Sequence, residues 1–117
     1  MVIFHGTADR HVRYEGGKPY EQVDRIARSD NSVAYAVDFW VRQNGCSPIP
    51  QTQQKGTLRT DTYTGCRNGT GVTLHTIAGE GHTWPGGVKY LPMADPPSSS
   101  VSATDLMWPF FQSHPKQ

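Results

Sequence analysis

Val72-Thr73-Leu74-His75-Thr76-Ile77-Ala78-Gly79-Glu80-Gly81-His82-Thr83-Trp84-Pro85-Gly86-Gly87 changes character in its middle. The first six residues are strand formers in period 2: Val72, Leu74 and Thr76 share one face, and Thr73, His75 and Ile77 the other. Five of the nine residues from 79 to 87 are Gly or Pro, so a loop follows at once, with a backbone that needs unusual dihedrals or a close approach. The chain opens on the same plan. Val2-Ile3-Phe4 reads as a short buried strand that breaks into His5-Gly6-Thr7-Ala8-Asp9. Asp9 and His82 therefore occupy equivalent places, each a few residues past an apolar strand in a glycine-containing loop. In open α/β sheets, ligands and catalytic groups gather there. A carboxylate aimed at one imidazole nitrogen sets the tautomer and stabilises the imidazolium, freeing the other nitrogen to take a proton from a nucleophile. Acid before histidine is also the hydrolase chain order.

Between these two loops, Ser32 is placed to cap a helix through Val33-Ala34-Tyr35-Ala36-Val37-Asp38-Phe39-Trp40-Val41, with Asn44-Gly45 as its stop. Its apolar face runs through Val33, Val37, Trp40 and Val41, and Asp38 with Arg42 forms an exposed i, i+4 pair. A short helix is expected between Tyr20 and Arg28 through Val23, Ile26 and Ala27. The Gln-, Pro- and Thr-rich stretch from Ser47 to Gly56 reads as a loop, and Leu58 to Tyr63 as a strand. Residues 91–100 read as a surface loop. Ser102 with Asp105 starts a last helix whose apolar face is Leu106, Met107, Phe110 and Phe111, with Pro109 inside it. The count is three short strands and two to three helices.

Composition bounds the rest. The 117 residues carry eleven Lys and Arg against ten Asp and Glu, a net +1 that argues against a nucleic-acid partner. No apolar run reaches the 18 residues of a membrane span, and the first residues lack the basic start and apolar stretch of a signal peptide. Leu, Ile, Val and Phe number only 21, few for a core of this size, so either a staple holds the chain or it is not complete. Cys46 and Cys66 offer a staple of about 3 kcal/mol if bonded, or are two buried thiols. Neither has a C-x-x-C partner, which argues against zinc.

The loop His5-Gly6-Thr7-Ala8-Asp9, the helix end Phe39-Trp40-Val41-Arg42-Gln43-Asn44-Gly45-Cys46, Tyr63-Thr64-Gly65-Cys66, the loop from Gly79 to Gly87, and Ser102-Ala103-Thr104 with Trp108-Pro109-Phe110-Phe111 together resemble one family. It is that of the polyhydroxybutyrate depolymerases and feruloyl/acetylxylan esterases, and the resemblance is to its C-terminal half, from Val2 to about His114. It implies an α/β fold, specifically the C-terminal part of an α/β-hydrolase domain over residues 1–117, with a sheet incomplete without an upstream half. It further implies a secreted serine esterase, extracellular or periplasmic, with Asp9 as triad acid, His82 as triad base and a Cys46–Cys66 disulfide. The substrate class is a polyester or a plant cell-wall ester, and no cofactor is required.

The nucleophile is missing. Such hydrolases place the serine on a G-x-S-x-G-like elbow upstream of the acid, and none of the eight serines has glycine two residues before and two after. The expectation is a chain that supplies acid and base, inactive alone, that associates with a serine-bearing half or with itself. The alternative is a non-catalytic product or binding module that keeps the hydrolase scaffold. Trp84, beside His82, is a candidate substrate-lining residue. Asp95 is the fallback acid, His75 a partly buried or surface imidazole, and His5, Asp9 and His11 a weak metal cluster, in a loop without a helical H-x-x-x-H pair.

Overall fold

The computed structural model describes residues 1–23, 25 and 27–116. They form β1 (Val2–Gly6), α1 (Val33–Gln43), β2 (Gln51–Lys55), β3 (Leu58–Tyr63), β4 (Val72–Ile77) and α2 (Ala103–Ser113), with a 3-10 turn at Arg67–Gly69. The sheet order is β1-β4-β3-β2. β1 runs parallel to β4, pairing Val2 with Thr73 and Gly6 with Ile77, while β3 is antiparallel to both β4 and β2. This is a mixed four-stranded α/β domain with two α-helices.

The fourth strand, β2, lies where the sequence reads as a loop. All five of its side chains are exposed, so no face is buried and no alternation marks it. Its pairing comes from the backbone: a two-residue turn, Gly56-Thr57 with Gly56 at φ +60°, sets Lys55 opposite Leu58. Thr52 then donates to the buried Asp61 carboxylate, which also pairs with Arg59 at 3.1 Å. The described residues of the stretch from Tyr20 to Arg28 form no helix; one turn closes where the Val23 N–H donates to the Tyr20 carbonyl (3.0 Å). Ile26, one of the expected apolar positions there, lies outside the described residues.

α1 forms for the reasons its sequence supplies. The Ser32 hydroxyl accepts the Tyr35 N–H at 3.1 Å, and Asn44 with Gly45 at φ +63° ends the helix. Val33, Val37 and Val41 are buried against Val72 and Leu74 of β4, with Ile3, Trp40 and Tyr63 at the margin. Asp38 and Arg42 pair on the exposed side at 2.7 Å. Cys46 and Cys66 are disulfide-bonded, joining the segment after α1 to the segment after β3. Around that bond, the Ser47 N–H donates to Thr64 and the Arg67 N–H to Asn44, each at 2.8 Å. α2 is capped by Ser102, whose hydroxyl accepts the Asp105 N–H, but its expected apolar face is only partly covered. Ala103 is fully buried, Leu106, Met107 and Phe110 are half-buried, and Phe111 is exposed.

β4 is an inner strand, between β1 and β3, with both faces covered, and this corrects the expectation for His75. The imidazole is buried, stacked on Phe4 at 4.8 Å between ring centres, and hydrogen-bonded through Nδ1 to the Thr60 hydroxyl at 3.0 Å. Burial lowers its pKa, since the charged form loses water. The unfolded chain takes up this proton near pH 6.5 while the folded chain resists it, so stability present above that pH is lost as pH falls through it. The urea midpoint is expected to drop between pH 7.5 and pH 5, and the drop to shrink in His75→Phe. An equal drop in both proteins would assign the slope elsewhere.

Candidate active site

The site stands where parallel β1 and β4 end side by side. Past Gly6, the Thr7 N–H donates to the Ile77 carbonyl (3.0 Å) and the Ala8 N–H to the Glu80 carbonyl (2.9 Å), while the Thr7 hydroxyl accepts the Gly79 N–H (2.9 Å). The two loops thus cross at Gly6, where a Cβ would collide with the Glu80 carbonyl; glycine alone permits the approach.

The crossing brings Asp9 and His82, 73 residues apart, into contact. Asp9 is buried, and its Oδ1 accepts the N–H groups of His11 and Val12, each at 2.9 Å. Its Oδ2 faces His82 Nδ1 at 3.0 Å. Burial by itself raises the pKa of this carboxyl, but the bonds from His82 and from the Val12 and His11 amides, with the attraction of the imidazole, together outweigh it and hold the carboxyl below its ordinary value. Asp9 is an anion fixed at three points. Its partner imidazole is half exposed, and with Nδ1 engaged the remaining nitrogen, Nε2, is the one left for proton transfer.

A cleft of about 390 Å³ opens beside this pair. Phe4 and Trp84 form its aromatic wall, their rings 5.9 Å apart, and the Trp84 indole N–H is anchored on the Thr104 hydroxyl at 3.1 Å. The His11 ring lies 5.0 Å from that of His82. Among the described residues, no serine or cysteine lines the cleft, and both cysteines are in the disulfide.

Asp95, the fallback acid, has a different position. Its Oδ2 accepts the backbone N–H of His82 at 2.8 Å, and its Oδ1 is 3.9 Å from Arg10. It holds the main chain of the histidine. Glu80 works alongside it: buried, its carboxylate accepts the Ser98 N–H at 2.8 Å, and Gly86 donates to the Ser98 carbonyl at 3.1 Å. Residues 95–98 therefore strap the histidine loop from outside. Sequence reasoning missed Glu80, Thr7 and Thr104 as supports, because their partners are distant in the chain and no local pattern marks them. The His5 and Tyr14 rings meet in a T-shaped contact, 5.6 Å between centres, and the His5 Nδ1 lies 3.1 Å from the Gly6 carbonyl. Among the described residues, no group of three or more His, Cys, Asp or Glu is placed to hold a metal ion.

Comparison with protein-family models, with curated proteins and with solved structures finds no match to this chain in any of the three. If Asp95 anchors the loop through the His82 amide, exchange of that amide measured by NMR is expected to speed up at least several-fold in Asp95→Ala. In Asp95→Asn, which keeps an acceptor oxygen, it should stay near the parent rate. Unchanged exchange in the alanine variant would remove Asp95 from this role.

Proposed function

We propose that this chain carries the acid and base of a serine carboxylic ester hydrolase and forms the C-terminal part of an α/β-hydrolase catalytic domain. The observation that carries the reading is the 3.0 Å contact between His82 Nδ1 and the buried Asp9 carboxylate, set at the ends of two parallel strands. The order acid then histidine, and the resemblance of the two loops to polyhydroxybutyrate depolymerases and feruloyl/acetylxylan esterases, favour the same assignment. The serine comes from a second segment outside residues 1–117. Among the described residues β1 pairs with β4 alone, so its other edge is where such a segment would extend the sheet.

In the assembled site, the serine oxygen attacks the ester carbonyl carbon while His82 Nε2 takes its proton, and Asp9 stabilises the imidazolium. The proton then passes to the departing alkoxide, leaving an acyl-enzyme. Water, deprotonated by the same nitrogen, attacks the acyl carbon; the acid leaves and the serine recovers its proton. The aromatic wall of Phe4 and Trp84 suits the acyl or aryl portion of a polyester or plant cell-wall ester. An extracellular or periplasmic location is compatible with the disulfide. One observation favours a second reading, a non-catalytic module on a hydrolase scaffold: the absence of a serine in the cleft among the described residues.

Two measurements separate these. The chain alone is expected to hydrolyse esters negligibly. Co-expressed with the serine-bearing half of a depolymerase or feruloyl esterase, it should restore labelling by a fluorophosphonate and ester turnover. In the pair, Asp9→Asn should lower kcat by about 10⁴-fold, and His82→Ala should also cripple turnover. Absence of labelling in the pair, or turnover by the chain alone that survives His82→Ala, would sink the proposal. The need for a second segment has its own readout. Phe39 and Trp108 are 51% and 62% exposed, so the isolated chain should bind the dye ANS or self-associate. A monomer that melts cooperatively and binds no dye would contradict it.

A further inference from the structure

A second feature lies at the opposite end of β4 and is independent of the ester-hydrolase reading. Of the three asparagines, Asn68 alone begins an Asn-x-Ser/Thr triplet, Asn68-Gly69-Thr70, and neither residue 69 nor residue 71 is proline. The fold presents this triplet outward. Asn68, Gly69 and Thr70 are all exposed, in the 3-10 turn that leads from the disulfide into β4. Asn68 has φ +55° and ψ +37°, a left-handed conformation that asparagine tolerates, and Gly69 follows at φ +67°. The turn is closed at its base, where the Thr70 N–H and hydroxyl both donate to the Arg67 carbonyl, at 3.0 and 2.6 Å. Asn44, in the related triplet Asn44-Gly45-Cys46, is half-buried, its amide donates to the Gly71 carbonyl, and Cys46 is disulfide-bonded.

We infer that Asn68 is an acceptor for an N-linked oligosaccharide when the chain enters a compartment holding a lipid-diphosphate-linked oligosaccharide. In the transfer, the Asn68 side-chain nitrogen forms a bond to the anomeric carbon of the first sugar. The bond from that carbon to the diphosphate oxygen breaks, the lipid diphosphate leaves with the electron pair, and the amide proton goes to a basic group of the transferase. The six residues of β4 separate this turn from the His82 loop by about 20 Å, so a glycan here leaves the cleft open.

Translation of the full chain behind a cleavable leader, in the presence of rough microsomes, tests this without relying on secretion. Protease-protected chain is expected to migrate more slowly, and peptide-N-glycosidase to collapse the shift. The shift should vanish in Asn68→Gln and in Thr70→Val and persist in Thr70→Ser. Protected chain without a shift, or a shift that survives Thr70→Val, would overturn the assignment. Because no esterase partner is involved, the outcome is separate from that of the hydrolase experiment.

Discussion

The parallel pairing of β1 with β4 is the constraint on which the site depends. Its register puts Gly6 opposite Ile77, so the chains leaving the two strands diverge from the same level of the sheet. Three hydrogen bonds between the loops, from Thr7, Ala8 and Gly79, then hold them together before either reaches its functional residue. The lack of a Cβ at Gly6 is what lets the Glu80 backbone come close enough. A slip of one residue would turn every side chain of β1 to the other face and part Asp9 from His82.

Around that crossing, charge is managed by paired hydrogen bonds. Asp9 loses water on burial but receives two amide N–H groups and an imidazole, so it remains an anion. Asp95 and Glu80 direct their carboxylates at backbone N–H groups of the histidine loop and its strap. Three carboxylates thus serve one histidine: one at its ring, one at its main chain and one tying the strap behind it. Hydrogen bonds to charged groups are worth about 1.5–3 kcal/mol each, enough to help hold a glycine-rich loop in place.

The thin core has a comparable explanation. Val33, Val37, Val41, Val72 and Leu74 make one compact cluster between α1 and the sheet, with the Cys46–Cys66 bond at its edge. Beyond it, aromatic side chains on α1 and α2 remain in solvent. Both faces of β4 are covered from within the chain, and apolar surface is left over on the helices.

Much of this was legible locally. The Ser32 cap, the valine stripe of α1, the alternation of β4 and the glycine loops after two strands follow from period, capping and backbone freedom, all of which act over a few residues. β2 was not legible, since an exposed edge strand has no buried face to imprint a pattern, and its pairing is dictated by the β3 backbone. Nor did Asp95 reveal its role, because a carboxylate in a Pro- and Ser-rich stretch looks the same whether it meets water or an amide 13 residues away. His75 alternates like a surface residue, and it is buried only because Phe4 and Thr60 arrive from neighbouring strands. By itself, the sequence determined that Asp9 and His82 stand in equivalent loops. Their meeting at 3.0 Å was decided by the strand register, a long-range pairing set by packing between segments 71 residues apart, which no local propensity encodes.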